Sequence, residues 1–119
     1  MKLLYKSLLI LPVFFFAISI GQAQSKNIQT DSVTVNGVCD MCKDRIEEAA
    51  IIKGVKMAEW DKYAQKLTVL YKPKKTNLQT ICAAVAKVGH DTDKVKATEE
   101  AYASLPDCCA YRNSELEVH

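Results

Sequence analysis

The sequence predicts an α+β fold in the order β-α-β-β-α-β, with two helices on one face of a four-stranded antiparallel sheet and a short helical extension after it. Three observations predict this. Short stretches of strand character ("SVTVN", "VKMAEWD", "KLTVLY") are interleaved with two stretches whose apolar residues recur at helical spacing. Each helical stretch is followed by a glycine suited to stop it, Gly54 and Gly89. The link between the second and third strands, "DKYAQ", is short and polar, which favours an antiparallel hairpin.

In chain order, Thr30 to Asn36 form the first strand, with Val33 and Val35 alternating with polar residues. Cys42, Ile46, Ala49 and Ala50 mark the first helix. Val55 to Asp61 and Lys66 to Lys72 follow as strands, and Leu67, Val69 and Tyr71 share one face of the second. Pro73 stops that strand. Thr76 has the character of an N-cap, with Gln79 three residues on completing a capping box. Leu78, Ile81, Cys82, Val85 and Val88 form the stripe of the second helix. "DKVKAT" supplies a weak fourth strand around Val95. The order is the split βαβ, or ferredoxin-like, arrangement. Val33, Val35, Ile46, Leu67, Val69, Ile81 and Val85 are its expected core, and Met57 and Trp60 are expected to be structural. "TEEAYASLP" then predicts a short helix, acidic in its first turn and halted by Pro106.

The chain has 119 residues, enough for one small domain. Its beginning is expected to be a leader rather than part of the fold. Lys2 and Lys6 form a basic start, Ser7 to Ile20 an apolar run, and Gly21-Gln22-Ala23 supplies small residues at the positions a signal peptidase reads. The apolar run falls short of the ~20 residues that a spanning helix needs, and no basic stop-transfer flank follows it. The expected organisation is a cleaved signal peptide over 1–23, a flexible start over 24–30, the domain over 31–98 and a C-terminal extension over 99–119. Export implies a periplasmic or extracellular location with no stable membrane insertion after cleavage.

Without Lys2 and Lys6 the chain carries fourteen basic against fourteen acidic residues. That balance gives no electrostatic reason to expect nucleic acid or anionic lipid as a partner. All five cysteines follow the leader, and an odd number is a poor disulfide framework.

Cys39 and Cys42 stand at the mouth of the first helix, where free N–H groups and the helix dipole stabilise a thiolate. Thiolate is the metal-binding form, and two intervening residues let both sulfurs converge on one ion. A resting disulfide, formed because the compartment oxidises thiols, can coexist with this reading. Two alternatives compete with it: a thiol–disulfide exchange protein, and a bare structural module stabilised by one or two disulfides. Against exchange, no aromatic precedes Cys39, no proline separates the pair, and the element order is not that of thioredoxin. Cys82 lies on the apolar stripe, where a free cysteine packs as a small hydrophobe.

His90, after the second helix, is either a solvated loop residue or a neutral imidazole able to bind Cu(I) or Zn(II). Cys108 and Cys109 either bridge two chains, protect one another, or are returned to the metal loop by a tail tethered through Tyr102 and Leu105.

With "GVCDMC", "GV" at Gly54-Val55, "KLTVLY" and "VGHD", the sequence over roughly Ser32 to Thr98 resembles the heavy-metal-associated domain of copper chaperones and metal-transporting ATPases. The exported mercury-binding proteins of the periplasm belong to the same group. The resemblance implies Cu(I) as cargo, with Hg(II) and Zn(II) as alternatives, held by Cys39 and Cys42. It implies transfer by thiolate exchange with a metal donor or acceptor protein, such as a metal-transporting ATPase or an efflux component, and it implies no enzymatic turnover. A metal-bridged dimer is a further expectation. It also sets His90 in a loop beside the metal loop. The pattern departs from the family's G-M-x-C-x-x-C: Asn36 stands at the Gly position, Gly37 at the Met position, and Met41 between the cysteines. Cys39 and Cys42 are therefore the main candidate ligands, and Cys108, Cys109 and His90 the additional ones.

Overall fold

The computed structural model describes residues 27–113 and 117–119. The expected leader and its cleavage point lie outside the described residues. The elements are β1 (Gln29–Thr34), α1 (Asp40–Ala50), β2 (Val55–Asp61), β3 (Lys66–Tyr71), α2 (Leu78–Lys87) and α3 (Glu99–Ala103), followed by a single 3-10 turn at Asp107–Cys109. Among the described residues no helix is long and apolar enough to cross a membrane.

The sheet has three antiparallel strands in the order β1-β3-β2. Its inward residues Val33, Leu67, Val69 and Tyr71 share one core with Cys42, Ile46 and Ala50 of α1 and Ile81, Cys82 and Val85 of α2. All seven residues expected in the core are buried. Each such aliphatic side chain contributes roughly 1.5–3 kcal/mol on leaving water, so the strand and helix periodicities suffice to bring the two layers together.

A register shift between Val55 and Met57 changes what β2 buries. Val55 pairs with Tyr71 and Trp60 with Leu67, so two residues five apart in sequence face the same side. Trp60 is buried as expected, whereas Met57 is turned to solvent instead of packing in the fold.

Two expectations are corrected. The fourth strand around Val95 is absent: the chain there makes one isolated bridge, Val35 to Thr92, beside β1. The cause is local. The Thr92 hydroxyl accepts from the Lys94 and Val95 amides, and Asp91 accepts from the Ala97 amide at 2.7 Å. These side chains satisfy the backbone groups that a strand ladder would have used. The cap of α2 also lies one residue later than expected. Asn77 accepts from the Thr80 amide at 2.8 Å, while Thr76 is buried against Gly54, where a Cβ would approach Thr76 Cγ2 to 3.2 Å.

Candidate metal centre

The loop over residues 36–38, between β1 and α1, is held by groups from all over the chain. The Gln65 side chain, at the tip of the β2–β3 hairpin, accepts from the Gly37 amide at 3.0 Å and donates to the Gly37 carbonyl at 2.9 Å. The Trp60 indole donates to the Val35 carbonyl at 2.9 Å. The Asp91 carbonyl accepts from the Asn36 amide, and the Val38 carbonyl accepts from the His119 amide. Gly37 is required here, since a Cβ would meet the Trp60 ring at 2.8 Å. The indole therefore packs against the position where the family pattern carries methionine.

Cys39 is the N-cap residue of α1, with extended backbone angles, and Cys42 lies in the first turn. Their sulfurs are 3.3 Å apart and both residues are buried. Burial pushes the Cys39 thiol up, but hydrogen bonds from the Cys42 amide, the Cys42 and Cys109 thiols and the Met41 amide outweigh it. The thiol therefore lies below its ordinary value, as a sulfur at a helix N-terminus should. Burial pushes the Cys42 thiol up.

The tail brings a third and a fourth sulfur. Cys109 Sγ lies 3.4 Å from Cys39 Sγ, and the sulfurs of Cys39, Cys108 and Cys109 all fall within 4.8 Å of one another. Burial, followed by the neighbouring Cys42 and Cys39, pushes the Cys109 thiol far up. All five cysteines are free. The donor set suits a soft cation: it is sulfur only, and Cys39, Cys108 and Cys109 lie close enough to share one ion.

The tail is fastened in three places. Leu105 packs on Gly89, whose Cβ position is 2.8 Å from Leu105 Cγ and which adopts φ +109. Tyr111 donates to the Gly89 carbonyl at 2.7 Å, accepts from the Asp91 amide and stacks on His90. The Arg112 guanidinium reaches both Asp91 oxygens, the Ala97 carbonyl and Glu99, and lies 4.3 Å from the Tyr102 ring. Burial acts to raise the Asp91 carboxyl, but Arg112 and the Ala97 amide hold it below the ordinary carboxylate range.

His90 is not brought into the sulfur group. It is fully buried, its Nδ1 engages the Asn36 carbonyl at 2.8 Å, and its Nε2 has no partner among the described residues. Burial lowers its pKa. A neutral ring donating through Nδ1 fits this geometry, and it makes His90 a support for the loop. Cys82 is buried in the core, as expected.

Sequence reasoning missed Gln65, Tyr111 and Arg112, which carry no local motif. It also left Met41 without a role, although its sulfur accepts from Cys108 Sγ at 3.4 Å. It assigned nothing to His119, which lines the same opening as Cys39 and Cys108.

No family model matches the chain, and no curated protein does. Solved structures do. The chain is similar to the CopZ metallochaperone, at 26% identity and a TM-score of 0.52, over 54% of this chain and 98% of that one. It is similar to the N-terminal domain of a potential copper-translocating P-type ATPase from Bacillus subtilis in the Cu(I)-loaded state, at 28% identity and a TM-score of 0.52, over 55% of this chain and 84% of that one. Oxidized MerP from Ralstonia metallidurans CH34 shares the fold, at 24% identity and a TM-score of 0.53, over 56% of this chain and 94% of that one.

Proposed function

We propose that this chain, which resembles the heavy-metal-associated domain family in fold as well as in motif, is an exported binder of a soft metal ion that takes up Cu(I) as cargo and passes it on or sequesters it. The observation that carries the reading is the approach of Cys109 to Cys39, beside the Cys39–Cys42 pair. Three thiolates offer a trigonal set for Cu(I), and softness selects that ion over Mg(II) or Ca(II). Hg(II) and Zn(II) are the alternatives that the same sulfurs would accept. The similarity to a metallochaperone and to an ATPase domain supports a metal-transfer partner, and the reading involves no turnover of a substrate.

A two-thiol site stays open to an incoming sulfur from a partner. A third thiolate shields the ion and slows its release, so the tail tilts the protein from rapid transfer towards holding. Loading requires the Cys42 and Cys109 thiols to give up protons, which a cation among them favours.

The test is titration of the reduced protein with Cu(I) against a competing chelator. The expected result is one tight ion, lost in the Cys39→Ser, Cys42→Ser variant. Unchanged affinity in Cys42→Ser would overturn the reading. Rapid catalytic reduction of insulin disulfides would instead favour a thiol–disulfide exchange protein.

A further inference from the structure

Met41 occupies a position that the metal loop does not need for packing. It lies in the first turn of α1 with 54% of its surface exposed. Its thioether accepts from the thiol of Cys108 at 3.4 Å, across 67 residues of sequence. Both residues line a cavity of about 260 Å³, together with Cys39, Asp40 and His119. The sulfurs near Cys39 differ in access: Cys42 and Cys109 are buried, whereas Cys108, within 4.8 Å of Cys39, and Met41 beside it are reachable from solvent.

We infer that Cys39, Cys108 and Met41 form a second, outer site for a monovalent soft ion, with the Cys39 sulfur bridging it to the inner one. The inference rests on the proposed soft-metal reading and extends it to a second ion of chosen type. A thioether is a neutral, soft donor with no proton to displace. It binds Cu(I) or Ag(I) and contributes little to Zn(II), which favours thiolate, imidazole and carboxylate. The outer site therefore discriminates by ion type, where a set made only of thiolates does not. On binding, Cys108 releases its proton to water as its sulfur bonds the ion. Met41 donates a lone pair and loses nothing, and no atom changes oxidation state. Solvent access makes this the weaker site and the one from which an ion leaves first.

The experiment uses the whole reduced chain labelled with ¹³C at the methionine methyl groups and titrated with Ag(I), which is redox-inert here. The first equivalent should leave the Met41 methyl signal nearly in place, and the second should shift it while Met57 stays fixed. Zn(II) should not move it at any ratio. Mass spectrometry should show two Ag(I) ions on the unsubstituted chain and one on the Met41→Leu variant, with the first ion bound as tightly as before. A Met41 signal unmoved through two equivalents, or a variant that still takes both ions, overturns the outer site while a tight first ion leaves the inner reading standing. Failure of the unsubstituted chain to bind any Ag(I) overturns both.

Discussion

Cys109 Sγ lies 3.4 Å from Cys39 Sγ, although 70 positions separate the two residues in sequence. The contact exists because three separate fastenings, at Leu105, Tyr111 and Arg112, return the tail to the mouth of α1. If Cys109 contributes a thiolate, Cys109→Ser should weaken Cu(I) binding by roughly 10–100-fold, the range seen when a supporting group of a metal site is lost. Transfer to an acceptor should become faster, and X-ray absorption should count fewer sulfurs around the ion. Chelator competition alone detects the first effect.

Loading should depend on pH in a definite direction. Burial holds the Cys42 and Cys109 thiols above their ordinary value, so both are protonated at neutral pH. Cu(I) must displace those protons. Apparent affinity should rise by about tenfold per pH unit for each proton released. In Cys109→Ser the slope should fall by one proton. An unchanged slope would mean that Cys109 stays protonated in the loaded state.

The Arg112–Asp91 pair should hold the tail at a measurable cost when broken. Charge-assisted, doubly hydrogen-bonded and half-buried, it should make Arg112→Ala less stable by about 1–3 kcal/mol. The Asp91 carboxyl is held below its ordinary 3.8, Arg112 outweighing burial. The pair's contribution is therefore fully present above that value and lost as pH falls through the lower, folded one. Denaturation curves of the two proteins should differ most near neutral pH and converge in acid.

Gly37 and Trp60 should prove coupled. Gly37→Ala places a methyl 2.8 Å from the indole, an overpacking worth about 1–3 kcal/mol. Trp60→Ala empties a buried site and should cost about 3–5 kcal/mol. In Gly37→Met, Trp60→Ala the methionine side chain has the vacated space to enter, so the double variant should lose less than the summed losses of Gly37→Met and Trp60→Ala alone. Additive losses in thermal unfolding would show that the two positions do not share one space.

If the chain is exported, the mature protein should begin at Gln24. Small residues at Gly21 and Ala23 behind an apolar run carry this expectation. Intact-mass measurement of protein recovered from the periplasm or medium checks it, and retention of Lys2 would contradict it.

Much of this fold was legible because it rests on local periodicity. β2 was expected over the residues it occupies, and β3 to within one. The Cys39–Cys42 pair was placed at a helix mouth by the junction of two periodic patterns. What escaped the sequence depends on pairings that no local pattern encodes. Thr92 satisfies the backbone of its own turn and so removes a strand that "DKVKAT" only weakly suggested. The β2 register shift decides that Val55 joins Trp60 on the inward side, while Met57 faces outward by simple alternation from Trp60. Gln65 reads as an ordinary hairpin residue until its amide is seen gripping Gly37. In the tail, Tyr102 and Leu105 were expected to act as tethers, yet Tyr111 and Arg112 make its polar attachments to the domain.

The approach of residues 39 and 109 also bears on how long the protein lasts. An ion gripped by both would tie the chain into a loop of 70 residues. Such a tie restricts the unfolded chain far more than the folded one, by about 4 kcal/mol for a covalent link of that span. Copper would then act as a removable staple. Loaded molecules would resist heat and proteases, and empty ones would be cleared first. The protein's lifetime would thereby follow metal supply, with abundance adjusted by survival.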